Sequence, residues 1–316
     1  MSDKLKKKIL TLSERAWERK LSWPEVTSWL SNFNGEVEDQ ETETLHALYL
    51  LSQSMYFGQG LIREMLKSIY SHLYRYPIIE DIRKNNNDTL DPKFIEREFK
   101  KELYATRFLG VGNPSESGPH LLYYFRQINN LSKFLFIDSA EILEIDRNDD
   151  VVKIKQRNPH IRRYVFLDDV LGSGTQVAKY LTDILREINY ITPKSKVFYY
   201  SLFATTEGLN AARSEHLFDG NVECIYELDE SFKCFSNESR YFTNLEGGIK
   251  RDVAYNVAHG YGSKLWPRHP LGYKDGELLL ALYHNTPNNC LPLIWAEGNQ
   301  RNPWIPIFKR FHKKYN

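Results

Sequence analysis

Cysteine is scarce in this chain: of 316 residues only Cys224, Cys234 and Cys290 are cysteines. Three thiols, odd in number and without the close pairing of zinc ligands, argue against a disulfide framework or a zinc finger and favour a reducing compartment. A cytoplasmic protein is the expectation. An excess of one charge is missing as well, since 42 Lys and Arg stand against 41 Asp and Glu, a formal charge of +1. No global basic field advertises nucleic acid and no acidic excess suggests disorder, so a polyanion site must be local. Long apolar runs are also absent. "LLLALY" (278–283) is among the longest and is far too short to span a bilayer, and "MSDKLKKKIL" leads into "TLSERAWERK" rather than the apolar stretch of a secretory signal. Neither membrane insertion nor secretion is expected. Two phosphate motifs are lacking: there is no G-x-x-x-x-G-K-[ST], and the dinucleotide fingerprint fails at Ser115 in "GVGNPS" and at Val177 in "GSGTQV". The histidines, His120, His259, His269 and His284 among them, have no metal-ligand spacing and read as structural or surface residues.

What is present begins with a hydrophobic content of 41%, enough to bury a large core. Residues 1–103 read as a helical region. Ser22 and Glu25 fit a capping box ahead of "VTSWLSNF", Pro24 suits the first turn, and "DPKFIEREFKKEL" opens on an Asp cap and a first-turn proline. Ile62, Met65, Leu66, Ile69 and Leu73 form one apolar stripe at helical spacing. Over residues 104–230 the texture changes to strands alternating with helices: "ATRFLGV", "KFLFID", "RYVFLDD", "KVFYYSLFATT" and "VECIYELD" read as strands, with helical patterns between most of them. That rhythm predicts an α/β fold with a mostly parallel sheet covered by helices. Residues 231–316, rich in aromatic, Gly, Pro and Asn residues, read as an appended region packed on the sheet.

The stretch "RRYVFLDDVLGSGTQVAKYL" (162–181) carries the chemistry. An apolar run ends in Asp168 and Asp169, where ligands of a parallel sheet gather, and a turn of small residues then enters a helix with the apolar face Val177, Leu181, Ile184, Leu185 and Ile188. Free backbone N–H groups around Gly172 and Gly174, with the hydroxyls of Ser173 and Thr175, suit a phosphate. Two carboxylates beside a phosphate repel it unless they face a hydroxylated sugar or a magnesium ion, both of which want hard oxygen acceptors. The combination fits a phosphorylated sugar with its metal. The structural alternative is a strand end with a capped turn, Asp169 serving only the next helix.

Four apolar residues, two acids, two more apolar residues and a small-residue turn resemble the signature of type I phosphoribosyltransferases, which bind 5-phosphoribosyl pyrophosphate (PRPP). The resemblance implies that Asp168 and Asp169 hold the ribose hydroxyls, directly or through Mg2+, and that Gly172, Ser173, Gly174, Thr175 and Gln176 bind the 5-phosphate. Gly172 stands where the family usually has Thr or another small side chain, and Gln176 where it has Thr or Ser. The loop "GNPSESG" (112–118) stands where the family binds pyrophosphate, through Asn113, Ser115, Glu116, Ser117 and Gly118, although Glu116 brings a negative charge and no Arg or Lys is present. The same composition suits an ordinary turn. The segment "EIDRNDDVVKIKQRNPHIRR" (144–163) takes the place of the family's flexible lid, where Arg147, Lys153, Lys155 and Arg157 would neutralise a departing pyrophosphate.

A narrower resemblance rests on the helical start, "FLGVGNPSESGPHLLYYFRQ", "FLDDVLGSGTQ" and the end "LGYKDGELLLALYHNTPNNCLPLIWAEGNQRNPWIPIFKR". Together these look like the PRTase-CE group of bacterial conflict and phage-defence proteins. It implies a defence effector, with a partner protein of such a system as one candidate interactor. Asn288 and Asn289, in "HNTPNNCLPLIW", could hold a base or be mere architecture. Three functions stay open: an enzyme that transfers phosphoribosyl to a base, nucleotide or nucleic acid, a regulator that senses a phosphoribosyl compound without turnover, and a scaffold whose helical region recruits a partner protein.

Overall fold

The computed structural model describes residues 1–113, 116–148, 151–192, 195–214, 218, 220–243, 245 and 247–311. In chain order the elements are α1 (Ser2–Arg15), α2 (Trp23–Leu30), α3 (Gln40–Gln53), β1 (Met55–Phe57), α4 (Gln59–Ser68), α5 (Tyr76–Lys84), α6 (Pro92–Tyr104), β2 (Thr106–Gly110) and α7 (Ser117–Ile128). Then follow β3 (Leu143–Asn148), β4 (Val151–Gln156), β5 (Arg163–Leu171), α8 (Thr175–Ile191), β6 (Lys196–Thr205), α9 (Thr206–Ser214), β7 (Val222–Leu228), α10 (Arg251–Leu265), β8 (Leu280–Leu282) and α11 (Pro292–Trp295). Among the described residues no helix is long and apolar enough to cross a membrane.

Helix starts follow the predicted chemistry. Glu25 Oε2 accepts from the Ser22 amide at 2.7 Å in a capping box, and Asp91 Oδ1 accepts from the amides of Lys93 and Phe94 at 2.9 and 3.3 Å. A π-helical turn, Ile69–Arg75, joins α4 to α5. It sits just ahead of Pro77, whose ring cannot accommodate a regular helical ladder behind it, and the wider turn relieves that clash. Of the predicted stripe, Ile62, Met65, Leu66 and Ile69 are buried, whereas Leu73 is half-buried.

Contacts divide the chain into two units. One joins Met1–Leu61 to Leu228–Asn316. Within it β1 and β8 pair in parallel, Met55 opposite Leu280, and the indoles of Trp29 and Trp304 both donate to Leu293 O at 2.9 Å. Phe33 meets Trp29, Tyr261 and Trp304, each at 5.2 Å between ring centroids. Glu43, fully buried, accepts from the amides of Gly35, Val37 and Glu38 and from the Tyr261 hydroxyl at 2.7 to 3.1 Å.

The other unit, Ile62–Glu227, is built on a four-stranded sheet of order β2-β5-β6-β7, with β5 parallel to both its neighbours. One face packs Tyr164, Phe166 and Tyr199 against Leu181, Leu185 and Ile188 of α8 and Leu209 of α9. On the other, Phe108 meets Phe125 of α7 at 5.2 Å and Tyr74 at 5.0 Å. The α/β class and the parallel sheet are as predicted. The strand expected over 133–138 is not formed: Lys133–Leu135 is a short 3-10 turn and Phe136 makes only a parallel bridge to Phe108. Asp138 caps the next 3-10 turn, accepting from Ala140 N at 2.9 Å while its own amide donates to Glu141, and this local bonding stops the extended chain.

Candidate functional site

The two acids lie inside β5, which runs on to Leu171, whereas the sequence reading ended the strand at Asp169. β6 is long enough to pair Asp168 with Ser201 and Leu171 with Ala204, whereas β2 stops where Gly110 meets Leu167. Asp168 and Asp169 therefore stand just past the point where one neighbouring strand has ended. The chain leaving β2 stays close, since Val111 N donates to Leu167 O at 3.0 Å. Gly118, at the start of α7, abuts the same place: a Cβ on it would lie 2.6 Å from Val111 N and 3.0 Å from Leu167 O. The sheet thus brings Val111 and Gly118, the two ends of the loop after β2, next to Leu167, the residue before the acid pair. Ser117 and Gly118 open α7 and Asn113 O accepts from Glu116 N at 3.0 Å; Ser115 lies outside the described residues.

Asp168 is 5% exposed, and both its oxygens are engaged: Oδ2 accepts from the Tyr199 hydroxyl and Oδ1 from the Asp169 amide, each at 2.9 Å. Burial, and after it the Asp169 charge alongside, push the Asp168 carboxyl well above the ordinary carboxylate range, against the opposing pull of those two donors. Burial and Asp168 likewise push the Tyr199 phenol well up. Asp169 is half-buried, and its Oδ1 accepts from Val170 N at 2.8 Å. Asp168 is thereby the oriented member of the pair and Asp169 the more accessible one.

The turn after β5 follows immediately. Gly174 caps α8 at φ +73°, so the chain enters the helix with Ser173 and the first helical amides at its start. The side chains of Thr175, Gln176, Val177 and Ile184 lie outside the described residues. Two residues that the sequence reading passed over support this turn. The Thr205 hydroxyl donates to Gly172 O at 2.7 Å and accepts from Gly208 N at 2.9 Å. Gly208 lies directly under the turn, where a Cβ would fall on Gly172 O and 2.7 Å from Leu171 O. The signal for Thr205 and Gly208 is a Thr at a strand end with Gly three residues on; Tyr199 carried none, because its role depends on β5–β6 register.

The remaining predicted residues lie elsewhere or are engaged. The segment 144–163 contains a β hairpin in which Lys155 pairs with Glu144 at 3.3 Å and Asp146 at 3.1 Å, and Arg157 pairs with Glu141 at 3.7 Å. Lys153 stands opposite Asp146 in the ladder, and the Arg147 side chain is outside the described residues. Asn288 and Asn289 belong to the unit that holds both ends of the chain. Asn288 O accepts from Tyr273 N at 2.8 Å, and Asn289 donates to Tyr273 O at 3.3 Å and accepts at its own O from Leu278 N at 3.1 Å. These bonds hold a turn.

Solved structures similar to part of the chain include two phosphoribosyltransferases. The xanthine-guanine-hypoxanthine phosphoribosyltransferase of Helicobacter pylori is 11% identical, with 56% of this chain and 86% of that one covered at a TM-score of 0.26. The orotate phosphoribosyltransferase of Aeropyrum pernix is 17% identical, with 53% and 77% covered at a TM-score of 0.23. No curated protein matches at a significant level. The PRTase-CE family model matches residues 26–310, a span that takes in the loop after β2, the acid pair, the turn into α8 and most of the two chain ends. On that match the chain belongs to the PRTase-CE family.

Proposed function

We propose that the crevice beyond β2 binds a 5-phosphoribosyl compound with magnesium, and that the protein is a phosphoribosyltransferase-type enzyme acting at C1 of the sugar. One observation carries the reading: a small-residue helix start, a pair of acids and a loop from the neighbouring strand converge at the carboxyl end of one parallel sheet. The turn from Gly172 to Gly174 takes the 5-phosphate on backbone N–H groups. Asp169 takes the ribose hydroxyls, and Asp168, held by Tyr199, fixes the pair. Among the described residues no group of three or more His, Cys, Asp or Glu forms a ready metal cage. Two hard carboxylates nonetheless suit magnesium, with ligand hydroxyls and water completing its shell.

Either of two groups can stand at C1: pyrophosphate, as in PRPP, or a base, as in a nucleotide. In transfer, the bond from C1 to that group breaks as an acceptor bonds to C1, the displaced group leaves with the electron pair, and the acceptor's proton passes to water or to the leaving group. The protein's part is to position the sugar and stabilise separating charge. The acceptor is a base, a nucleotide or nucleic acid, and the role is that of an effector in bacterial anti-phage defence. A second reading, a sensor without turnover, is favoured by Glu116, whose carboxyl lies within the loop after β2.

Calorimetry with ribose 5-phosphate and magnesium tests the shared part of both readings. Saturable binding that is lost when Asp168 and Asp169 are both changed to Asn supports it, and unchanged binding in that variant rejects it. Mass spectrometry after incubation with PRPP or nucleotides and a bacterial lysate then separates enzyme from sensor, since only the enzyme yields a product altered at C1.

A further inference from the structure

Ser201 stands in the middle of β6, inside the run "VFYYSLFA" (197–204). It is 0% exposed, and its Oγ has no hydrogen-bond partner among the described residues. A buried hydroxyl in that state has given up its bonds to water and made none in return, at a cost comparable to a lost hydrogen bond. Two relations fix where it lies. In the β5–β6 register Ser201 is directly opposite Asp168, and opposed residues of neighbouring strands, about 4.8 Å apart, point to one face of the sheet. Tyr199, two positions earlier on β6 and so on that same face, donates to Asp168 Oδ2 at 2.9 Å. The face is the one that α8 and α9 cover, because Phe166 and Tyr199, each two residues before Asp168 and Ser201, pack with Leu181, Leu185 and Leu209. Asp168 has room for a further donor: Oδ2 is bonded to Tyr199 and Oδ1 to the Asp169 amide, whereas the two oxygens of a carboxylate together accept about four bonds. A spare donor and an acceptor with open capacity thus stand side by side.

From this juxtaposition we infer that Ser201 is a positioning residue of the acid pair: when the site takes a phosphoribosyl compound with magnesium, the Ser201 hydroxyl donates to Asp168 and holds its carboxylate turned towards the ligand. This rests on the phosphoribosyl reading of the site and adds to it a residue that acts through Asp168. In the free protein Tyr199 and the Asp169 amide hold the Asp168 carboxyl against the two strands. Magnesium shared by the two acids draws that carboxylate out of the arrangement and leaves an oxygen short of a donor. Ser201 supplies one by rotation about its Cα–Cβ bond, between staggered positions and with no change in the strand ladder. The unmet hydroxyl of the free state is therefore stability forgone for a bond that forms only with ligand bound.

The test uses the full chain and two measurements: melting temperature without ligand, and calorimetric binding of ribose 5-phosphate with magnesium. Ser201→Ala removes the unmet hydroxyl, so its ligand-free melting temperature should equal or exceed the parent's, while its affinity for ribose 5-phosphate should fall about fivefold or more. A residue needed only for the fold would instead lower the melting temperature. Ser201→Cys, close in volume but a weak donor, should show the same loss of affinity and serves as the second variant should the first prove poorly folded. Folded variants that bind ribose 5-phosphate as tightly as the parent overturn the role of Ser201 and leave the phosphoribosyl site standing. Melting temperatures below the parent's in both variants mark Ser201 as structural and overturn it too. A parent that binds no ribose 5-phosphate overturns both the role and the site.

Discussion

At the scale of single residues, the cost of building this strand end is concentrated in Asp168. Its carboxyl is buried, held by Tyr199 and crowded by Asp169, and it favours the protonated form. A carboxyl whose pKa is raised on folding stabilises the native state fully below the unfolded value, about 4 for Asp, and that contribution is lost as pH rises through the folded value. Asp168→Asn should therefore melt higher than the parent at neutral pH, with the advantage shrinking as pH falls towards about 4, as followed by calorimetric melting across that range. The same substitution combined with Asp169→Asn should weaken ribose 5-phosphate binding at least about tenfold, since each charge-assisted bond contributes roughly 1.5 to 3 kcal/mol. Both acids were legible in the sequence because two adjacent carboxylates after an apolar run have few structural uses. Tyr199 was not, because a phenol 31 positions away bonds to Asp168 only through the register of β5 on β6.

Among the elements, those with unbroken apolar patterns were readable: β2, β5, β6 and β7 and helices α7, α8 and α9 fall close to the segments that periodicity marked. The strand expected over 133–138 failed because Asp138 and Glu141 offer the backbone a local cap that competes with a ladder. The span of β5 was underestimated for the opposite reason, a partner strand long enough to carry pairing past the acids to Leu171. Packing of α9 under the turn after β5 sets the shape of the turn proposed to take the 5-phosphate. Gly208→Ala would push a methyl group onto the Gly172 and Leu171 carbonyls, backbone atoms that cannot swing aside. The expected result is a loss of about 1 to 3 kcal/mol of stability by denaturant unfolding, together with weaker ribose 5-phosphate binding. Ala211→Gly on the same helix should leave the turn in place, and equal loss of binding in the two variants would show that helix stability, not the turn, was responsible.

For the whole molecule, no local pattern signals that the first 61 residues complete their core with the last part of the chain, because bonds such as Trp29 to Leu293 span 264 positions. Glu43 illustrates how much depends on those distant partners. Its carboxylate satisfies three amides of the 35–38 loop and the hydroxyl of Tyr261 on α10, so Glu43→Ala should cost on the order of 3 to 5 kcal/mol and strip hydrogen-exchange protection from the Val37 and Glu38 amides. Burial and the bond to Glu43 raise the Tyr261 phenol to about 12. Stability from the protonated phenol is complete below the ordinary tyrosine value, about 10, and is lost as pH rises through the folded one. The stability gap between the parent and Tyr261→Phe should accordingly narrow across that alkaline range in urea titrations. The joining of the two ends also sets an order of events on the ribosome. Synthesis adds about 5 to 20 residues each second, so roughly 10 to 30 s of translation separates Leu61 from Leu228. Throughout that interval the apolar faces of the first three helices are finished but unmatched, while the sheet behind them can already close, so the part of the protein made first is the part that matures last.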